Sequence, residues 1–142
     1  MPTIQRDALV MHSAETMFDL VNDVSAYPEF LPDCLGAKVI SSNESEMTAS
    51  LKIGKGAVNK WFTTCNTFID KNQVKMTLVD GPFKRLTGVW QFIPLDEEAC
   101  KVSLELDFEF SNKLVALAFG KIFNHVANNM VKAFISRANQ LA

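Results

Sequence analysis

Two histidines, three cysteines and a row of carboxylates are the residues of this 142-residue chain whose types could make or break bonds. His12 ends an apolar run beside Ser13. Ser13 itself has the context of a helix N-cap, with Glu15 in the first turn where a carboxylate meets the positive helix end. His125 falls on the edge of the polar face of the last helical stretch. Neither histidine has a serine, cysteine or aspartate at the spacing of a nucleophile and its base. Ser103 and Thr87 read as ordinary strand residues. Cys34, Cys65 and Cys100 are odd in number, far apart and without metal-ligand spacing, which reads as reduced, structural thiols. Glu105, Asp107 and Glu109 alternate along one segment, so they share the wet face of a strand instead of converging on a metal. Asp96-Glu97-Glu98 is a solvated turn. No acid–base pair is evident. The expectation is therefore a protein that is not an enzyme, holds no metal and requires no cofactor.

Binding chemistry is better supplied. Eleven Phe and two Trp are many large rings for this length. They could fill a core or line a space inside it. The candidates for lining are Met76, Trp90, Phe92, Leu104, Leu106 and Phe108 on strands, and Phe119, Ile122, Phe123, Val126 and Met130 on the final helix. Each alone could be plain core; the reading rests on the set, because one sheet face and one helix must share the space between them. A guest held there gains roughly 25 cal/mol for each Å² of apolar surface buried, and a few polar groups would fix its head. Arg6, Asn129 and Arg137 are candidates for that, although Arg137 could equally snorkel to water from the helix end. Phosphate or anionic lipid would need grouped cations. Lys52, Lys55 and Lys60 flank a glycine-rich tip, Lys84 and Arg85 follow another turn, and Lys113, Lys121 and Lys132 share one side of the helix. The net charge is −2, which excludes a strongly basic DNA-binding protein and leaves a local patch as the route to RNA.

The elements that must position these groups follow from periodicity. Ile4 to Met11 reads as a strand. Met17, Leu20, Val21 and Val24 recur at helical spacing from about Ala14 to Val24. Tyr27-Pro28-Glu29-Phe30-Leu31-Pro32 leaves room for one short helical turn, with its apolar residues tucked under a sheet edge. Strands are expected at Lys38 to Ser42, Met47 to Ile53, Lys60 to Asp70, Gln73 to Val79, Leu86 to Ile93 and Val102 to Phe110, with Pro94 to Glu98 as a turn. In the last strand Val102, Leu104, Leu106, Phe108 and Phe110 alternate with Lys101, Ser103, Glu105, Asp107 and Glu109, so the sheet has one wet face. Short turns without intervening helices mean antiparallel pairing. Ser111 then reads as the cap of one unbroken helix to about Gln140, roughly 45 Å long, with Val115, Phe119, Ile122, Val126, Met130 and Ala133 in a narrow apolar sector that Phe123, Ala127 and Phe134 widen.

The fold expected is α+β in one domain, 1–142: a curved, six- to seven-stranded antiparallel sheet wrapped around a long C-terminal helix, with two short helices after strand one. Gly54, Gly56, Gly81 and Gly88 are candidates for bends. A single helix leaves space against a curved sheet, so a cavity is expected. No apolar run approaches the roughly 18 residues of a membrane span, and the N-terminus lacks a signal-peptide pattern. That points to the cytoplasm, with at most peripheral contact at the inner face of the membrane.

Four segments carry a family likeness: YPEFLPDC from Tyr27 to Cys34, DGPFKRLTGVWQF from Asp80 to Phe92, DFEFSNKL from Asp107 to Leu114 and MVKAFISRA from Met130 to Ala138. On them the chain resembles the coenzyme Q-binding branch of the START-like, polyketide-cyclase superfamily, over nearly its whole length. The resemblance implies the helix-grip fold and two functions of different kinds. One is non-catalytic binding of ubiquinone or a related isoprenoid lipid in support of respiration. The other is binding of the large ribosomal subunit, blocking formation of the 70S particle and translation. The chain departs from many relatives at Asp33, where they carry an aromatic residue.

Overall fold

Period-two alternation of apolar and polar residues lays down the sheet. The computed structural model describes residues 3–141. Seven strands, β1 (Thr3–Val10), β2 (Cys34–Ser42), β3 (Glu46–Lys55), β4 (Val58–Ile69), β5 (Gln73–Asp80), β6 (Phe83–Asp96) and β7 (Ala99–Phe110), form one sheet in the order β1-β7-β6-β5-β4-β3-β2. Every neighbouring pair is antiparallel. Val102, Leu104, Leu106 and Phe108 of β7 are buried on the inner face. The outer face of β7 carries its carboxylates, two of them ion-paired: Arg85 reaches Asp107 at 2.6 Å and Glu109 at 3.0 Å, and Lys84 reaches Glu109 at 3.5 Å. Register slips interrupt β2 between Cys34 and Gly36 and between Val39 and Ser41, and β6 near both its ends, marking bulges that bend a strand.

Four α-helices and one 3₁₀ turn complete the described residues. In α1 (Ala14–Asn22) Ser13 Oγ accepts from the Thr16 amide at 3.0 Å, and Met17, Leu20 and Val21 are buried. A 3₁₀ turn at Val24–Ala26 leads into α2 (Tyr27–Phe30), the one turn that Pro28 and Pro32 permit. Tyr27 and Leu31 are buried and Phe30 is half-buried.

The single long helix expected from Ser111 is two. Asn112 is the cap, its Oδ1 accepting from the Val115 amide at 2.9 Å, and α3 (Lys113–Ala118) ends before α4 (Gly120–Leu141) begins. At 22 residues α4 is about 33 Å long. The break seats Phe119 in the core while Leu114 and Leu117 stay exposed, and the Phe110 ring lies against Gly120, where an added Cβ would come within 3.3 Å of it. The buried line of α4 is also rotated from the expected sector: it runs through Phe123, Val126, Ala127, Val131, Phe134 and Ala138, leaving Ile122, Met130 and Ala133 half-buried at its flank. Rings explain the rotation. Phe123 packs on Phe62, Phe83, Phe108 and Phe110, and Phe134 packs on Tyr27, Phe30 and Trp90. Edge-to-face contacts of this kind add to simple burial.

Candidate functional site

β3, β4 and β6 offer an inner face between those two ring clusters, and α4 crosses above it. A cavity remains there, with about 60 Å³ open to the centre of a water molecule, room for a small cluster of waters. Rings close most of the space that a single helix was expected to leave. The walls are Ala49, Leu51 and Ile53 of β3, Phe62, Thr64 and Asn66 of β4, and Met76, Leu86, Trp90 and Leu106 of β5 to β7. Val24 and Tyr27 close one side; Phe123, Val126, Ala127 and Met130 form the roof. Leu51, Met76 and Met130 are half-buried and form the yielding part of the wall, since methionine repacks with little strain.

Met76, Trp90, Leu106, Phe123, Val126 and Met130 from the sequence reading thus meet at one cavity. Phe92, Leu104, Phe108 and Phe119 do not line it; they are fully buried core. Phe92 is capped by the Phe18 ring of α1, Leu104 pairs across β6–β7 with Trp90, and Phe108 and Phe119 are wedged in the ring cluster around Phe110 and Phe123. Ile122 sits beside the buried line of α4 and also misses the cavity.

The three head-group candidates lie elsewhere. Arg6 is exposed on β1 and donates to Asn128 Oδ1 and to the Gln5 carbonyl. Asn129 donates to the His125 carbonyl at 2.8 Å, one turn back on its own helix. Arg137 reaches Glu29 at 3.1 Å and stacks over Phe30, so it clasps α2 to α4. The polar groups that do face the cavity are Thr64 and Asn66, each 8% exposed, with Thr64 Oγ1 donating to Asn66 Oδ1 at 2.8 Å. The alternation of β4 held the clue: Phe62 and Phe68 are inward, so Thr64 and Asn66 between them must be inward too.

No charged side chain lines the cavity, and Tyr27 is its one titratable group. The Tyr27 hydroxyl donates to the Val21 carbonyl. Burial above all, with Cys34 and Asp23 adding, pushes its phenol far above the usual tyrosine range, so it stays protonated and is no base. Burial pushes the Cys34 thiol up to about 11 and raises Cys100 as well; neither is poised as a thiolate. His12 meets Asn139 across 2.8 Å on an open surface recess beside Asp19 and Asp23. Among the described residues no group of three or more His, Cys, Asp or Glu could hold a metal ion.

The cations divide. Lys84 and Arg85 are in the ion pairs on β7, and Lys55 reaches Asp33 at 3.8 Å, a residue at positive φ whose carbonyl accepts from the Gly54 amide. Lys52 stands opposite Trp61 on the outer face of the sheet, whereas Lys60 is the neighbour of Trp61 in the strand and points to the opposite face. The expected trio is therefore not one patch. Trp61 is 44% exposed, and Lys38 places its ammonium 4.9 Å from the ring centroid. An outer-face group of Lys38, Lys52 and Trp61 replaces the trio.

A family model described as polyketide cyclase / dehydrase and lipid transport matches residues 10–135. The chain belongs to that family. The family name spans cyclases and lipid carriers. The chain is 55% identical to ribosome association toxin RatA of Vibrio cholerae over 141 residues, covering 99% of this chain and 98% of that one. It is 31% identical over 133 residues to a mitochondrial coenzyme Q-binding protein homologue of Xenopus laevis, covering 91% of this chain and 54% of the relative. A START superfamily protein from Mycobacterium smegmatis shares the fold with a TM-score of 0.81 at 21% identity, over 99% of both chains. As a family member the chain has the START-like architecture, and among the described residues no helix is long and apolar enough to cross a membrane.

Proposed function

We propose that this protein binds the compact ring portion of an apolar molecule, an isoprenoid quinone above other classes, in the cavity under α4, and that it holds this guest without transforming it. The observation that carries the reading is the lining: an almost wholly apolar wall with one buried polar pair, Thr64 and Asn66, and no side chain in a state to act as acid, base or nucleophile. The likeness to a relative named for binding coenzyme Q supports it. With about 60 Å³ free, an isoprenoid tail does not fit within the resting cavity, so it leaves past Leu51 and Met130 as those side chains swing. Native mass spectrometry of the purified protein, before and after loading with a short-chain ubiquinone, tests this. One quinone per chain is expected; reproducible absence after loading overturns it.

A second reading, association with the large ribosomal subunit, rests on the 55% identity to a relative named as a ribosome association toxin and on the Lys38–Lys52–Trp61 surface, which offers RNA ammonium groups beside a partly exposed ring. Sucrose-gradient profiles after overexpression test it. Accumulated free subunits are expected, and unchanged subunit joining removes the reading.

A further inference from the structure

Resting on the reading that the cavity takes a guest, we infer that the guest is held by a hydrogen bond from the Asn66 side-chain amide, and so carries a carbonyl or ether oxygen on its buried, compact end. The polar inventory of the cavity wall leads there. Tyr27 commits its hydroxyl proton to the Val21 carbonyl, and Thr64 commits its own to Asn66 Oδ1. That second bond fixes the rotation of the Asn66 amide and turns its NH₂ away from Thr64. No hydrogen bond from the NH₂ is found among the described residues; Asn66 is 8% exposed, and its amide is not sealed in protein as Arg137 Nε is, so it meets the open space of the cavity it lines.

An amide buried without a partner for its donors costs the fold free energy unless something in the cavity accepts them. Leucine has nearly the same shape and would fill this position without that cost. The neighbours give no structural reason for polarity: Asn66 stands beside Met47 and Met76 in register. The surplus is in donors, and an ionised group would find no counter-charge among the lining residues. The complement is a neutral acceptor on an apolar body. A ring ketone fits that description; a fatty acid carboxylate, an amine and a pure hydrocarbon do not.

Duroquinone and durene, the same methylated ring with and without carbonyl oxygens, separate the possibilities. Both are titrated into the full chain by heteronuclear NMR, following the Asn66 side-chain amide, and into a variant carrying Asn66→Leu with Thr64→Val, which leaves no hydroxyl stranded. The wild type is expected to favour duroquinone about tenfold, with the Asn66 amide resonances shifting for duroquinone alone. The double variant is expected to bind the two equally. Equal affinities in the wild type with an unmoved Asn66 amide overturn the hydrogen bond while leaving the cavity reading intact. Failure of both probes to bind overturns the cavity reading and this inference with it. Should the double variant not fold, the Asn66 resonances of the wild type still decide.

Discussion

Gly88 shows how much one atom can control at this site. A Cβ there would lie 2.5 Å from the Met76 terminal methyl and 2.7 Å from a Leu106 methyl, both flexible ends that line the cavity. Gly88→Ala should therefore push two lining side chains into the free volume and lower quinone loading at least tenfold. The chain should still fold, at a cost of about 1–3 kcal/mol for the overpacking, read by urea denaturation beside the loading assay. Tyr27, Cys34 and Cys100 set the alkaline limit of stability. An unfolded cysteine ionises near 9 and an unfolded tyrosine near 10. In the fold Cys34 keeps its proton to about 11 and Tyr27 keeps its own to higher pH still. Over that interval the folded state binds more protons than the unfolded one, so stability falls as pH rises. The contribution is complete below about pH 8.5 and declines through the Cys34 range first. Chemical denaturation from pH 7 to 11 should show this, and Cys34→Ala should make the early part of the decline shallower, leaving the share that Cys100 contributes. At this scale Asn66 was the hardest residue to read, because a polar side chain at an inward position looks like a fault in the alternation.

The strands were legible because one face is dry and the other wet, as in β7, where Leu104 and Leu106 are buried and Glu105 is exposed. Two ends were not. Pro94 reads as a turn, yet β6 continues to Asp96: β5 pairs with β6 no further than Gln91, so Pro94 has β7 on one side only and its missing N–H costs no ladder bond. β2 begins four residues before its apparent start because the bulge between Cys34 and Gly36 upsets its alternation. The break between α3 and α4 was hidden for another reason. Helical spacing of apolar residues runs straight across Phe119 and Gly120, and the cause of the break, the Phe110 ring against Gly120, belongs to another element. Gly120→Leu should displace that ring from its stack on Phe83, 5.3 Å between centroids. The expected loss is about 1–3 kcal/mol in urea denaturation, with the near-ultraviolet circular dichroism of the ring cluster reduced.

Taken whole, the molecule presents its two candidate interaction regions on opposite sides of one sheet. The cavity lies on the inner face under α4, and Trp61, Lys38 and Lys52 lie on the outer face of β2 to β4. Reversing charge at Lys38→Glu and Lys52→Glu should abolish any effect on ribosomal subunit profiles and leave quinone loading within about twofold, because surface substitutions of this kind shift stability by at most about 0.5 kcal/mol. Loss of both activities together would mean that they share a determinant. The sheet has a further property at its margin. β2 is an outermost strand, with no strand beyond it, and it exposes Val39 and Ile40. The 3₁₀ turn and α2 pack on part of it; where such a margin is uncovered it invites a second molecule to add on, then a third, growing a ribbon. The two slips in β2 leave a straight run of only four residues, Gly36 to Val39, between them. A recruit would have to dislocate after every few rungs, so the same kinks that shape the strand keep copies of this protein from zipping into fibres.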